Sequence, residues 1–240
     1  MNSRSLFQVT IPGLLPVALL SLAISCSPVS RYINSEDVLH WETDIARFDS
    51  LNAVEYSGPG TLLVTGSSSI RLWDSIHADL APYNVMQRGY GGAKLSDFNH
   101  YAERIIKPHP FRAIMIFIAN DIAGGEQDRT PREVFLMFRE LVNTIRERNP
   151  GTPVCWIEVT PTPSRWHASQ QIRRASDLIR DYCDRHDDLH FIDTYDHFIT
   201  DSGIPDSTLF RKDMLHLNRE GYRLWASIQL EALSDAGIEP

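Results

Sequence analysis

A Gly66-Ser67-Ser68-Ser69 run and a late Asp213-Met214-Leu215-His216 stretch hold the side chains of this 240-residue protein best suited to chemistry. A serine hydroxyl is a weak nucleophile until a base takes its proton and a third group orients that base. Asp213 and His216 stand three residues apart, close enough for a carboxylate and an imidazole to orient one another. Between the two stretches lie a glycine turn, Arg88-Gly89-Tyr90-Gly91-Gly92, and Asn120-Asp121. These are sources of backbone and side-chain N–H groups that can meet a developing oxyanion. Each feature also has a plainer reading. The serines can cap a helix beginning near Ile70, the glycines can make a tight turn, Asn120 can tie loops together, and Asp213 with His216 can be a simple turn contact. The Gly-x-Ser-x-Gly elbow is absent. There is no His-Glu-x-x-His, and no third ligand near Asp213 and His216, so no metal and no cofactor is expected.

The elements that would position these residues alternate along the chain. Apolar, strand-like runs fall at 61–65, around 83–86, and at 113–119, 154–159 and 189–192. Between them come helical patterns. Ile70, Trp73, Ile76 and Leu80 share one face, and Leu95, Phe98, Ala102 and Ile105 another. Thr130-Pro131-Arg132-Glu133 reads as a capping box with proline in the first turn, ahead of Val134, Phe138, Leu141 and Ile145. Ile172, Ala175, Ile179 and Tyr182 mark a further helix, and Asn218 can cap the last, with Tyr222, Trp225 and Ile228. Upstream, Ser35-Glu36-Asp37 starts a helix over 36–52 carrying Val38, Trp41, Ile45 and Phe48, which can pack on its own domain or on a neighbour. Alternation of this kind predicts an α/β fold, a three-layer α/β/α sandwich around a parallel sheet of about five strands, flavodoxin-like in form. Ligands of such sheets bind beyond the carboxyl ends of the strands, where Ser68, Gly92 and Asn120 fall.

The net charge of −8 argues against nucleic acid as a partner. Residues 1–25 carry Arg4 as their one charged side chain, and 11–24 are an apolar stretch too short and too interrupted for a comfortable membrane span. With Ala23 and Ser25 before Cys26, this reads as a signal peptide whose cleavage leaves Cys26 as a lipidated first residue. The protein is then expected in the cell envelope, anchored through that lipid and facing the periplasm. A plain secretory signal is the competing reading. The division expected is 1–25 signal peptide, 26–57 tether and N-terminal helix, and 58–240 catalytic domain. Cys155 and Cys183 read as buried thiols, with one disulfide between them as the alternative.

Order and placement together make the chain resemble the SGNH (GDSL-type) serine hydrolases over about residues 58–235. Gly66-Ser67-Ser68-Ser69-Ile70-Arg71 is similar to that family's first block, with serine in place of the usual aspartate. Arg88-Gly89-Tyr90-Gly91-Gly92 resembles the second, Ala119-Asn120-Asp121 the third, and Asp213-Met214-Leu215-His216-Leu217-Asn218 the last. Ile118 stands where the third block usually has glycine. The resemblance implies a carboxylic ester hydrolase with Ser68 as nucleophile, Ser67 and Ser69 being the alternatives, and with Asp213 and His216 completing the triad. It implies an oxyanion hole from Ser68, Gly92 and Asn120. Arg71, Trp73, Tyr90 and Trp166 are expected near the site mouth, and 122–125 as a rim. The expected substrate is a small-molecule, lipid or glycan ester of a short acyl group. An O-acyltransferase with the same triad, and a non-catalytic module binding an anion at Gly66–Ser69, are the alternatives.

Overall fold

The computed structural model describes residues 29–32, 35–55, 57–106 and 109–240. The expected leader, Cys26 and half of the tether lie outside the described residues. Two short helices come first, α1 (Glu36–Leu39) and α2 (Glu42–Asn52). Then follow β1 (Thr61–Gly66), the single turns α3 (Ser68–Arg71) and α4 (Ile76–Asp79), β2 (Asn84–Gly89), α5 (Leu95–Ile106) and β3 (Ala113–Phe117). The chain continues through α6 (Pro131–Arg148), β4 (Val154–Ile157), α7 (Ser169–Cys183), β5 (Leu189–Ile192) and α8 (Arg219–Asp235). The five strands form one parallel sheet in the order β2-β1-β3-β4-β5. After β1 the chain moves outward to β2, and from β3 onward it moves the other way. The crevice beyond the ends of β1 and β3 is therefore the switch point at which open parallel sheets bind ligands.

Strand periodicity of two sorts the apolar residues into two layers of core. Leu63, Ile114, Ile116 and Trp156 face α5, α6 and α7. Leu62, Val64, Met115, Phe117 and Ile157 face the aromatic cluster of Trp73, Tyr222 and Trp225. Being covered on both faces is why β1 and β3 are apolar almost throughout. The capping box at Thr130 forms as expected: the Thr130 hydroxyl accepts from Glu133 N and the Glu133 carboxylate from Thr130 N. Asn218 caps α8 by accepting from Gly221 N.

Two expected helices are broken. The one foreseen over 36–52 is interrupted at His40 and Trp41, because Trp41 turns to pack on Tyr90, with ring centroids 5.3 Å apart. Val38, Ile45 and Phe48 are buried in the main core, so this segment packs on its own domain. The face of Ile70, Trp73, Ile76 and Leu80 belongs to two single turns. The Asp79 carboxylate collects Trp73 Nε1 at 2.7 Å, Ser75 Oγ at 2.6 Å and the Arg219 guanidinium, and these bonds outweigh continuation of the helix. Cys155 and Cys183 are free and buried, each packed in a different layer of the core, and burial pushes both thiols up to about 12.

Trp225 is fully buried, with its ring 4.9 Å from Phe117 and 5.3 Å from Trp73. Truncation leaves a large void under the end of β3. Trp225→Ala should lower unfolding free energy by about 3–5 kcal/mol, read as a reduced urea midpoint at unchanged slope.

Candidate active site

The site begins at the end of β1. Gly66 has φ 137°, and a Cβ built there would lie 1.9 Å from the Phe117 carbonyl oxygen. Only glycine lets β1 approach the end of β3 so closely. Ser67 N then donates to Phe117 O at 2.8 Å, and Tyr90 N to Gly66 O at 3.0 Å, tying the ends of β1, β2 and β3 together. The three serines of the run differ in what they touch. Ser67 is buried, and the Ser69 carbonyl accepts from Tyr222 OH at 2.8 Å. Ser68 lies between them with its Oγ 3.0 Å from His216 Nε2. Its backbone N–H has no partner among the described residues.

His216 reaches Ser68 from a loop preceding α8. Its Nδ1 lies 2.7 Å from Asp213 Oδ2, while Asp213 Oδ1 accepts from the backbone N–H groups of Leu215 and His216, each at 3.0 Å. Because a carboxylate only accepts, Nδ1 carries the proton and Nε2 offers its lone pair to the Ser68 hydroxyl. Burial alone would raise the Asp213 pKa. The bonds from the His216 ring and the two backbone N–H groups outweigh that and hold the carboxyl down at about 2. The loop is stiff. Arg211 N donates to His216 O at 2.7 Å, Phe210 bridges to Leu217, and Ser164 N donates to Met214 O at 3.0 Å. Met214 has φ 55°, a left-handed conformation that a non-glycine residue adopts at some cost and that places Asp213 below the imidazole.

Asn120 follows β3 on the other side of Ser68. Its Nδ2 donates to Ala93 O at 2.9 Å, and its Oδ1 accepts from Arg165 Nη2 at 2.6 Å. Arg165 Nη1 donates to Ala119 O at 2.6 Å. Sequence reasoning missed Arg165, naming its neighbour Trp166 instead. The 3₁₀ turn Pro163–Ala168 carries both, and it turns Arg165 into the cleft with Ser68, Asn120 and His216. Trp166 sits further out beside Tyr195, 6.5 Å between ring centroids. No local sequence signal marks Arg165, since only the fold brings it to Asn120. The cleft encloses about 30 Å³. Gly92 does not line it. Gly92 lies in the adjoining hollow with His40 and Trp41, one residue from the Ala93 carbonyl that Asn120 holds.

Three expected mouth residues lie elsewhere. Tyr90 is fully buried and its hydroxyl donates to Asp97 Oδ1 at 2.6 Å, because the turn directs it into the core and leaves only its backbone near the site. Trp73 is fully buried, stacked on Tyr222. Arg71 lines a separate depression with Arg47, His77 and Gly89. The segment 122–125 is tied down: Asp128 accepts from Ala123 N and Gly124 N, and a Cβ on Gly124 would meet the His167 ring. Among the described residues no group of His, Cys, Asp or Glu side chains is placed to hold a metal ion, and no helix is long and apolar enough to cross a membrane.

The model of the GDSL-like Lipase/Acylhydrolase family matches residues 53–224. No curated protein matches the chain. Among solved structures, a candidate acylhydrolase from Bacteroides fragilis superposes with a TM-score of 0.70 at 19% identity, covering 81% of this chain and 97% of that one. A GDSL-like lipase from Bacteroides thetaiotaomicron gives 0.67 at 17% identity, with 80% and 98% covered. A carbohydrate esterase family 3 member from Talaromyces cellulolyticus gives 0.56 at 15%, with 73% and 96% covered. At these identities the superpositions establish a shared fold.

Two buried carboxyls stand behind the Gly92 turn. Asp121 Oδ2 accepts from Leu95 N at 2.9 Å, and burial pushes its pKa up to about 6. Asp97 accepts from Lys94 N and from Tyr90 OH, yet burial pushes it up to about 7. Both folded-state values exceed the ordinary carboxylate value of about 4, so the native state binds the extra protons. Their contribution to stability is complete below about pH 4 and is lost as pH rises through 6 and 7. The decline in urea midpoint between about pH 4 and 7 should therefore be smaller in Asp97→Asn than in the parent protein. Equal declines would mean that Asp97 does not carry it.

Proposed function

Because the chain belongs to the GDSL-like lipase/acylhydrolase family, we propose that it is a serine esterase that removes a short acyl group through an acyl-enzyme on Ser68. The hydrogen-bonded chain from Ser68 Oγ through His216 to Asp213 carries this reading. His216 Nε2 takes the hydroxyl proton as Oγ attacks the ester carbonyl, and Asp213 holds the imidazole tautomer and stabilises the imidazolium. His216 then returns the proton to the leaving alcohol, and water releases the acyl group by the same path. The free N–H of Ser68 and the Asn120 amide, the two expected donors that line the cleft, receive the oxyanion. Each such donor is typically worth about 3 kcal/mol in the transition state. No step calls for a cofactor.

An acetyl or other short acyl group is the moiety proposed to be carried on Ser68. Short acyl groups on carbohydrate are the preferred substrate, and the esterase character of the Talaromyces cellulolyticus protein agrees with that choice. The N-terminal sequence supports export, with Cys26 as a lipid anchor in the cell envelope.

Hydrolysis of p-nitrophenyl acetate should be lost in Ser68→Ala with the circular dichroism spectrum unchanged. Rates should fall steeply from the acetate to the octanoate ester. Asp213→Asn, which disturbs the tautomer while keeping the shape, should reduce kcat by on the order of 10⁴. Undiminished hydrolysis by Ser68→Ala would overturn the assignment of the nucleophile.

A further inference from the structure

The Asn120 amide has one orientation that satisfies its neighbours. Ala93 O can only accept and Arg165 can only donate, so Nδ2 must face Ala93 and Oδ1 must face Arg165. Nδ2 retains a second hydrogen with no partner among the described residues, on an amide that lines the cleft with Ser68. Arg165 meets two neutral oxygens through two guanidinium nitrogens, each at 2.6 Å, the fork geometry that lysine cannot supply. The other oxygen, on Ala119, belongs to the residue just before Asn120, so a single planar group fixes both the backbone and the side chain of the turn after β3. Among the described residues no direct ion pair cancels the positive charge of Arg165 beside the cleft, and Asp128 offsets it only from a distance.

We propose that Arg165 is a positioning residue for the oxyanion hole, clamping the Asn120 amide so that its free N–H faces the developing oxyanion and lending its charge to that site. The proposal rests on the reading of Asn120 as an oxyanion donor. The clamp acts on the transition state and leaves ground-state binding of a neutral ester nearly untouched.

The test is a double-mutant cycle on p-nitrophenyl acetate with Asn120→Ala, Arg165→Ala and the pair, alongside Arg165→Lys. Removing an oxyanion donor costs about 10²–10³ in kcat. Arg165→Ala should lower kcat by roughly 10- to 100-fold with KM changed less than about twofold, and added guanidinium ion should restore part of the rate. Arg165→Ala should cost much less in the Asn120→Ala background than in the parent, because the clamp then has no amide to hold and only the charge is lost. Arg165→Lys should keep the fold and still show the kcat deficit. Multiplicative losses, or a loss confined to KM or to esters carrying an anionic group, would overturn the proposal in favour of direct substrate contact. Full activity in Arg165→Ala beside an impaired Asn120→Ala would also overturn it, while full activity in Asn120→Ala would instead remove the oxyanion reading beneath it.

Discussion

The close approach of β1 to β3 at Gly66 is the constraint on which the site depends. With no Cβ at Gly66, the Phe117 carbonyl comes near enough to accept from Ser67 N. The two strands then deliver Ser68 and Asn120 to opposite sides of one crevice. Any larger residue would have to move the carbonyl, and with it the turn that carries Asn120. Phe117 itself rests on Trp225, so packing of α8 against the sheet holds the approach from below. Sheet topology locates the crevice in general terms, and this single contact sets its width.

The imidazole comes from 148 residues further along the chain, and its placement is a separate problem. The Asp213–His216 loop is fastened at both ends. Met214 O accepts from Ser164 N, and α8 begins directly after the loop with Asn218 as its cap. Tyr222 then reaches back to Ser69 O, joining the helix that follows His216 to the turn that holds Ser68. Each hydrogen bond contributes only about 1 kcal/mol. The aromatic layer of Trp73, Tyr222 and Trp225 supplies far more, and the hydrogen bonds convert that packing into alignment.

How much of this was legible in the sequence depended on where each feature takes its information. Strand positions, the capping box at Thr130 and the Asn218 cap are local patterns, and they appear where expected. Ser68, His216 and Asp213 were singled out because their order in the chain resembles a known set of blocks, and the fold places them within hydrogen-bond distance of one another. Tyr90 and Trp73 misled because an aromatic residue beside a motif looks the same whether it faces solvent or core. The helix expected over residues 70–80 failed because Arg219, 140 residues away from Asp79, joins Trp73 and Ser75 around its carboxylate. Arg165 was invisible because its partners, Ala119 and Asn120, lie 46 and 45 residues earlier.

Arg165 also differs physically from the other inward-facing arginine near the sheet ends. Arg88 is buried but lies 2.7 Å from the Glu55 carboxylate, and Asn52 accepts from it as well, so its charge is neutralised where it stands. Arg165 is given two neutral oxygens and no carboxylate, and burial pulls its pKa down. A partly desolvated cation held this way costs stability in the resting protein. In the ester hydrolysis proposed for this site, that cost would be offset as the tetrahedral oxyanion forms nearby. A carboxylate partner would have made the fold more comfortable and the site less useful, since it would cancel the field where the field is wanted. Neutral oxygens fix the guanidinium in space and leave its charge for the transition state.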